Sequence, residues 1–330
     1  MPAPNPSFEQ RLIAAANYSS SGFQDMTAKA SPLFAMLKQK GRYRPYTGPQ
    51  IEEKLIYGRP DGMWYSDYDI YPTKPTDMLT KALFTPKQLV VPITISGRDM
   101  VDNMGETQEF DLMRALIDGA KATAREMVYA AMYGDGTADG GKQMTGLRAM
   151  IPDNPATGTY GGISRVNWNW WRAGSYDVSN GDFAGYTALT PDSVMPILRM
   201  AMAKHSTGTG GPDLIVASPE WAAAINAKLD SIQRVTAQGE TASLGFNTIK
   251  LNIGGKSVEF QEETGIGSQM PANTLFGLNT NTLTLRYHAA RNWKVDEERR
   301  PLNQDALTIP ILWQGEFILN NPRENFKITV

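Results

Sequence analysis

A glycine-rich stretch, GDGTADGGKQMTGL at residues 134–147, has the residue types and the spacing of a phosphate-binding loop. Gly136, Gly141 and Lys142 match the pattern G-x-x-x-x-G-K, in which backbone N–H groups surround a phosphate. A working loop follows a strand, opens a helix, and carries Ser or Thr after the Lys to hold magnesium. Here Gln143 follows the Lys, and the stretch comes after a long helical pattern. A nucleotide-binding enzyme using Gly136–Lys142 is therefore the alternative from another function class, not the first hypothesis.

The same stretch also resembles the first half of a calcium loop. Asp135, Thr137 and Asp139 alternate as the early oxygen ligands of such a loop do. A complete loop closes with a bidentate Glu at its twelfth position, and the residue at that position counted from Asp135 is Gly146. The sequence therefore predicts a flexible exit from a helix that ends at Gly134, where the chain turns back, and no dedicated metal site.

The sequence offers few residues for a catalytic or metal site built from histidine or cysteine. It contains no Cys, which excludes disulfides, thiolate metal sites and cysteine nucleophiles. The two histidines are far apart, and neither H-E-x-x-H nor G-x-S-x-G occurs. We expect His205 to end a helix, where a positive charge is favoured, and His288 to lie on a strand. These observations predict a protein that is not an enzyme and needs no cofactor.

Two acidic runs offer candidate acid/base pairs. The carboxylates of Glu262 and Glu263, and those of the run 296–298, are adjacent in sequence. Such runs are more often solvated, and Arg299 and Arg300 follow the second run directly, which favours a local or intersubunit ion-pair cluster.

A tryptophan cluster could bind nucleic acid or sugar by stacking. Trp168, Trp170 and Trp171 stand next to Arg172. A packed corner between chain segments is the favoured interpretation, because indole rings bury a large area.

The composition of the chain indicates a folded protein rather than a disordered or membrane-spanning one. The 330 residues are 41% hydrophobic and carry a formal net charge of −2, whereas nucleic-acid binding usually brings a basic balance. We expect no membrane partner, since no apolar run approaches the roughly 20 residues of a transmembrane helix. Prolines occupy the apolar region that a secretion signal would need.

The first half of the chain predicts an arm, a hairpin and a strut. Ser31 is a candidate N-cap for a helix that starts at Pro32 and stops before Gly41. Beyond it, QIEEKLIYG and MWYSDYDIY are strand-like, and the RPDG between them predicts the turn of a long β-hairpin. A two-stranded hairpin is marginal in water, so it needs a surface on its own domain or on a neighbour.

The strongest helical pattern covers residues 106–133, about 40 Å of helix. Its apolar stripe consists of Phe110, Met113, Ile117, Ala120, Ala124, Met127 and Ala131. Further on, a helix capped by Thr190, a buried strand with a helix after Ser218, and several strands follow. The mixture of separate strands and helices predicts an α+β fold.

The order of these segments resembles the major capsid proteins of tailed bacteriophages, which share the Hong Kong ninety-seven-type fold. RYRPYTGPQIEEKLIYG with MWYSDYDIYPTKPTDMLTKALF looks like their extended loop. The segment from PITISGRDM to GLRAMI looks like their peripheral domain and spine helix, and TYGGISRVNWNWWRA is similar to a phrase of one capsid subgroup.

The resemblance implies five regions. They are an N-terminal arm (1–41), an extended hairpin loop (42–95), a peripheral domain (96–185) with its spine helix (106–133), an axial domain (186–285) and return strands to the peripheral domain (286–330).

The resemblance also implies a function and its partners. The chain would self-assemble into hexamers and pentamers of an icosahedral head that encloses double-stranded DNA, in the virion and after assembly in the host cytoplasm. A separate scaffolding protein and a portal would be partners. An encapsulin-type compartment shell is the alternative within the same fold. The candidate intersubunit contacts are Arg42, Tyr43, Arg44, Tyr46, Tyr57, Arg59, Trp64, Tyr65, Tyr68, Glu297, Glu298 and Arg299.

Overall fold

A computed structural model describes residues 31–70, 77–98, 106–208, 210–230, 248–253, 255–263 and 270–330. The helices are α1 (Pro32–Gln39), α2 (Glu106–Tyr133), α3 (Ala138–Gly141), α4 (Leu147–Met150), α5 (Pro191–His205) and α6 (Pro219–Asp230). The first seven strands are β1 (Tyr43–Tyr46), β2 (Ile51–Ile56), β3 (Leu79–Phe84), β4 (Lys87–Ser96), β5 (Thr159–Tyr160), β6 (Ile163–Ser164) and β7 (Gly174–Asp177). The others are β8 (Leu214–Ala217), β9 (Thr248–Ile253), β10 (Lys256–Glu262), β11 (Thr274–Leu278), β12 (Leu283–His288), β13 (Lys294–Val295), β14 (Ala306–Leu319) and β15 (Phe326–Thr329).

A sheet of five strands is organised around the 14-residue strand β14. Its strand order is β1-β12-β14-β13, and β4 pairs antiparallel with the first part of β14, from Ala306 to Gly315. The last part of β14 pairs with β12, which in turn pairs in parallel with β1. Strands from both ends of the predicted loop, β1 and β4, therefore enter one sheet.

A second sheet has six strands in the order β7-β15-β11-β8-β10-β9. Its central strands β8 and β11 are buried at every position and are apolar except for Thr274, as expected for strands covered on both faces. Helices α5 and α6 pack with this sheet, and Ile197, Leu198, Trp221 and Ile225 are fully buried in its core. The mixed architecture confirms the predicted α+β class.

The long helix runs from Glu106 to Tyr133, as predicted. Ala124 and Ala131 of the predicted stripe are buried, and Ile117 and Ala120 pack against Ile93, Leu307 and Ile309 of β4 and β14. Met127 is an exception, because 41% of its side chain is exposed. The side chains of Phe110 and Met113 lie outside the described residues.

The predicted helix caps are confirmed. The Ser31 hydroxyl accepts the N–H of Phe34, and Gly41 follows the helix with φ +65°. Thr190 and Ser193 form a reciprocal capping box, with bonds of 3.2 and 2.9 Å. No described helix is long and apolar enough to cross a membrane.

The pairing within the predicted hairpin is wrong. β2 pairs with β3, with Ile51 opposite Phe84 and Ile56 opposite Leu79, and not with the segment MWYSDYDIY. Residues 63–70 contain no strand, and the turn there is at Ser66–Asp69 rather than in RPDG. Aromatic residues favour strands only where a partner strand covers them, and here they are exposed.

Strand pairing connects the ends of the hairpin loop and the last strands of the chain to the two sheets. β1 and β4 belong to the five-stranded sheet, and only β2 and β3, within residues 51–84, form the separate hairpin of the predicted loop at 42–95. β14 lies in the five-stranded sheet, whereas β15 joins the six-stranded sheet between β7 and β11. β7, expected in the peripheral region, belongs to the six-stranded sheet as well.

Candidate functional site

The far end of the hairpin exposes a group of large apolar side chains. Trp64 is fully exposed, and Tyr68 and Ile70 are 97% and 90% exposed. Asp61, Asp67 and Asp69 alternate with them, and no Lys or Arg stands between Asp61 and Ile70. Tyr65 is also exposed, at 62%. We call residues 61–70 the loop end. Several large apolar side chains exposed within one short segment are typical of a surface that contacts another molecule.

The outer end of the paired strands of the hairpin is fixed to its own chain. Tyr57 lies 5.6 Å from the rings of both Trp168 and Trp170. Trp171 is buried, and its indole N–H donates to the Tyr160 carbonyl at 2.9 Å. The tryptophan cluster is therefore the packed corner expected from the sequence, while Trp168 stays 44% exposed.

Four predicted contact residues lie in or beside β1. Tyr46 is only 7% exposed and Tyr43 stacks on Tyr287 at 4.2 Å, so both are used inside the subunit. Burial raises the pKa of the Tyr43 phenol to about 12. Arg42 binds the Asn281 side chain, and the exposed Arg44 donates to the Gly41 carbonyl at 2.9 Å.

The remaining predicted contact residues are at the surface. Arg59 is exposed at the start of the loop, and Glu297, Glu298 and Arg299 are exposed beyond β13. The Arg299 guanidinium contacts the Asp296 carboxylate at 2.7 Å, which is the local ion pair expected from the sequence. Among the described residues, the run 297–299 makes no contact with the loop end.

The glycine-rich stretch has the wrong geometry for a phosphate site. It follows helix α2, and its N–H groups are used internally, because Thr137 donates to Asp135 and Gly141 donates to the Thr137 carbonyl. The next helix, α4, has a single turn. Asp139 adopts φ +54°, and no group of three or more potential metal ligands occurs among the described residues. The stretch is the exit from a helix, as predicted.

A buried carboxylate fastens this exit to the five-stranded sheet. Oε1 of Glu316, on β14, accepts the Thr145 N–H at 2.8 Å, and the side chain is 1% exposed. Lys87 of β4 donates to the Gly141 carbonyl at 2.7 Å. Burial raises the pKa of Glu316 to about 7, although the Thr145 hydrogen bonds oppose the rise.

A second carboxylate is buried at the end of α2. Glu263 accepts the Tyr133 hydroxyl at 3.0 Å, and burial raises the pKa of Glu263 to about 7. The expectation that Glu262 and Glu263 are both solvated is therefore wrong for Glu263. Sequence reasoning missed Glu316 altogether. The sequence feature that could have identified it is a single acidic residue within the largely apolar strand β14.

His205 ends α5 as predicted, and its ring is held by two polar groups. Its Nδ1 lies 2.6 Å from the Arg323 carbonyl and its Nε2 lies 2.8 Å from the Tyr176 hydroxyl. Burial lowers the pKa of His205, which works against the positive charge that a helix end favours. His288 lies on β12, as expected.

The geometry therefore combines two sheets, a long helix and a loop whose end exposes large apolar side chains. A family described as SU10 major capsid protein matches residues 93–308 of the chain. The chain belongs to the SU10 major capsid protein family. It is a shell protein of a tailed-phage head, and the interpretation from segment order is confirmed.

Solved structures share the fold at low sequence identity. A chain of the cyanophage A-1(L) capsid is 15% identical, with a TM-score of 0.70 over 94% of this chain and 95% of that chain. A chain from the capsid of a native GTA particle is 14% identical, with a TM-score of 0.55 over 99% of both. The SrpI encapsulin of Synechococcus elongatus PCC 7942 is 10% identical, with a TM-score of 0.50 over 96% of this chain and 94% of that chain.

These likenesses confirm the Hong Kong ninety-seven-type fold. The family match favours a phage capsid over an encapsulin-type shell. No curated protein sequence matches the chain.

Proposed function

We propose that the chain assembles into hexamers and pentamers of an icosahedral head whose neighbouring subunits are tied together by the hairpin, residues 51–84. The observation that carries the proposal is the loop end, where Trp64, Tyr68 and Ile70 are almost completely exposed. Burying one large aromatic side chain stabilises an interface by about 1.5–3 kcal/mol. Burial of these exposed apolar side chains on association would therefore contribute a large favourable free energy for each subunit.

The regions take the roles that the segment order implies. The five-stranded sheet with α2 forms the peripheral domain and its spine, and the six-stranded sheet with α5 and α6 forms the axial domain. Arg59, Trp64, Tyr65 and Tyr68 remain contact candidates, together with the exposed run 297–299. Tyr43 and Tyr46 are left out, because their own chain covers them.

The role is structural rather than enzymatic. The shell would enclose double-stranded DNA by confinement, which suits a net charge of −2 and needs no strongly basic wall. A separate scaffolding protein and a portal would act during assembly in the host cytoplasm, and the product would be the virion head.

The test separates folding from assembly. The double variant Trp64→Ala/Tyr68→Ala should unfold at the same thermal midpoint as the unmodified isolated subunit, since both side chains are exposed. Assembly, followed by sedimentation and electron microscopy, should fail. Val166→Ala is the matched control, because Val166 is 61% exposed outside the loop. Normal shells from the double variant would contradict the proposed role of the loop end.

The contents of the particles separate the two kinds of shell. Particles from the natural source should contain double-stranded DNA that is released by heating and digested by nuclease. Particles that contain a packaged enzyme and no genome would favour the compartment alternative instead.

A further inference from the structure

A cleft of about 470 Å³ lies between the outer part of strand β2 and the segment that follows β14. Leu55, Tyr57 and Trp170 contribute apolar surface to it, and the rings of Tyr57 and Trp170 stack with their centroids 5.6 Å apart. Pockets for small molecules measure roughly 300–1,000 Å³ and combine such walls with a few polar groups. The volume suits one organic molecule with a ring and is too small for a DNA duplex.

Two cations at the cleft have no partner of their own. Within the described part of the chain, neither the Lys54 ammonium nor the Arg323 guanidinium forms an ion pair or a hydrogen bond. Lys54 also stands directly opposite Lys81 on β3, and Lys81 pairs with Glu52 at 3.1 Å. Like charges opposite each other destabilise a strand pair. An anion bound in the cleft would supply the compensating charge that Lys54 lacks.

The carboxylate at the cleft is engaged by its own chain. Oε1 of Glu324 accepts the Thr207 hydroxyl at 2.9 Å, and Oε2 accepts the Asn279 amide at 2.5 Å. Both donors are neutral, so Lys54 and Arg323 remain available to a ligand. A guanidinium and an ammonium together match a phosphate group, because Arg binds two of its oxygens at once and Lys adds a point charge.

Two amides complete the polar part of the cleft. The side chains of Asn320 and Asn321 line it, and neither forms a hydrogen bond to another described residue. An amide offers a donor and an acceptor side by side, which matches the polar edge of a nucleobase. The cleft therefore offers partners for a phosphate, for a ring and for the polar edge of that ring.

We propose that this cleft binds a nucleotide, with its phosphate between Lys54 and Arg323 and its ring against the wall of Tyr57 and Trp170. Neither the glycine-rich stretch nor the loop end lines the cleft, so the site is distinct from both. A free nucleotide and the 5′-terminal nucleotide of a DNA strand present the same phosphate monoester, so the experiment has to distinguish these two sources.

Calorimetric titration of the unassembled subunit with deoxyadenosine monophosphate tests the site without any requirement for assembly. Lys54→Gln and Arg323→Gln should each weaken binding on the order of tenfold to a hundredfold, the range for loss of a charge-assisted hydrogen bond. Both side chains are exposed, so the thermal midpoint should stay the same. Lys54→Arg should retain most of the binding. Lys250→Gln is the matched control, because Lys250 is exposed on β9 and does not line the cleft.

A short single-stranded oligonucleotide, with and without a 5′ phosphate, separates the two sources. Binding of the phosphorylated strand but not of the unphosphorylated one would support the proposal and assign the site to a strand end. Binding of deoxyadenosine monophosphate with no binding of either strand would support it and assign the site to a free nucleotide.

Three results would overturn the proposal. The first is no binding of deoxyadenosine monophosphate, or binding that Lys54→Gln and Arg323→Gln leave unchanged. The second is equally tight binding of inorganic phosphate, which would show that the apolar wall contributes nothing. The third is tighter binding of glucuronate, which would indicate an acidic sugar as the ligand. None of these results bears on the proposed capsid role, because that role is measured by assembly.

Discussion

The buried carboxylate of Glu316 should make the stability of the subunit depend on pH in an unusual direction. Burial raises its pKa from 4.5 to about 7 in the folded protein. Because the folded state then holds the proton more tightly than the unfolded state, its contribution to stability is complete below pH 4.5 and is lost as pH rises to about 7. This rise in the pKa corresponds to about 3 kcal/mol in the free energy of unfolding, since each pKa unit corresponds to about 1.4 kcal/mol.

Glu316→Gln isolates this effect. A Gln side chain keeps the acceptor for the Thr145 N–H but cannot ionise. The fall in the free energy of unfolding that Glu316 causes between pH 4.5 and 8 should therefore be absent in Glu316→Gln. Urea unfolding of the unassembled subunit, followed by tryptophan fluorescence, gives the free energy of unfolding at each pH. Any cost of burying the new amide is independent of pH. The test therefore compares the slopes of the two plots of unfolding free energy against pH, and not their absolute values. Glu263 titrates in both proteins and cancels in the difference.

Glu52→Gln is the control, because the Glu52 side chain is half exposed and pairs with Lys81 at the surface. Its curve should run parallel to that of the unmodified chain. Parallel curves for Glu316→Gln as well would refute the reasoning, because they would show that this carboxylate is solvated.

Two glycine substitutions should change stability in opposite directions. Gly146→Ala would place a Cβ 2.2 Å from the Ala131 carbonyl oxygen and 2.5 Å from that of Gly134, so it should lower the free energy of unfolding by about 1–3 kcal/mol. Gly119→Ala meets nothing within 4 Å in the exposed part of α2 and should raise it by about 0.5–1 kcal/mol. Thermal midpoints measure both, and a stabilised Gly146→Ala or a destabilised Gly119→Ala would contradict the packing described.

Local signals in the sequence were sufficient for the helices. The Ser31 and Thr190 caps and the apolar stripe of α2 depend on neighbours within one or two turns, and each of these helices starts where the sequence predicts. The exit at Gly134 was predictable for the same reason, since both loop motifs fail at nearby residues, Gln143 and Gly146.

Long-range relations could not be predicted in this way. The partner of β2 lies beyond an aromatic segment that has strand-like composition but faces solvent, so composition alone selected the wrong strand. Glu263 and Glu316 are buried because Tyr133 and Thr145 approach them from elsewhere in the chain. The aromatic residues of the loop end stand in the sequence, but only the fold shows that Trp64 and Tyr68 are exposed.

The loop end continues from a hairpin whose paired strands are held to their own chain at both ends. At the root, Ile51, Ala82 and Phe84 are buried, Phe84 packs on Tyr160, and the Leu83 N–H donates to the Gly161 carbonyl. At the other end, Tyr57 packs on Trp168 and Trp170, and its N–H donates to the Met78 carbonyl at 3.0 Å. The paired strands are therefore a fixed support, and a change of backbone angle after Tyr57 would move the exposed loop end without moving either sheet. A curved lattice requires neighbours to meet at more than one angle, and this arrangement would confine the adjustment to residues 58–70.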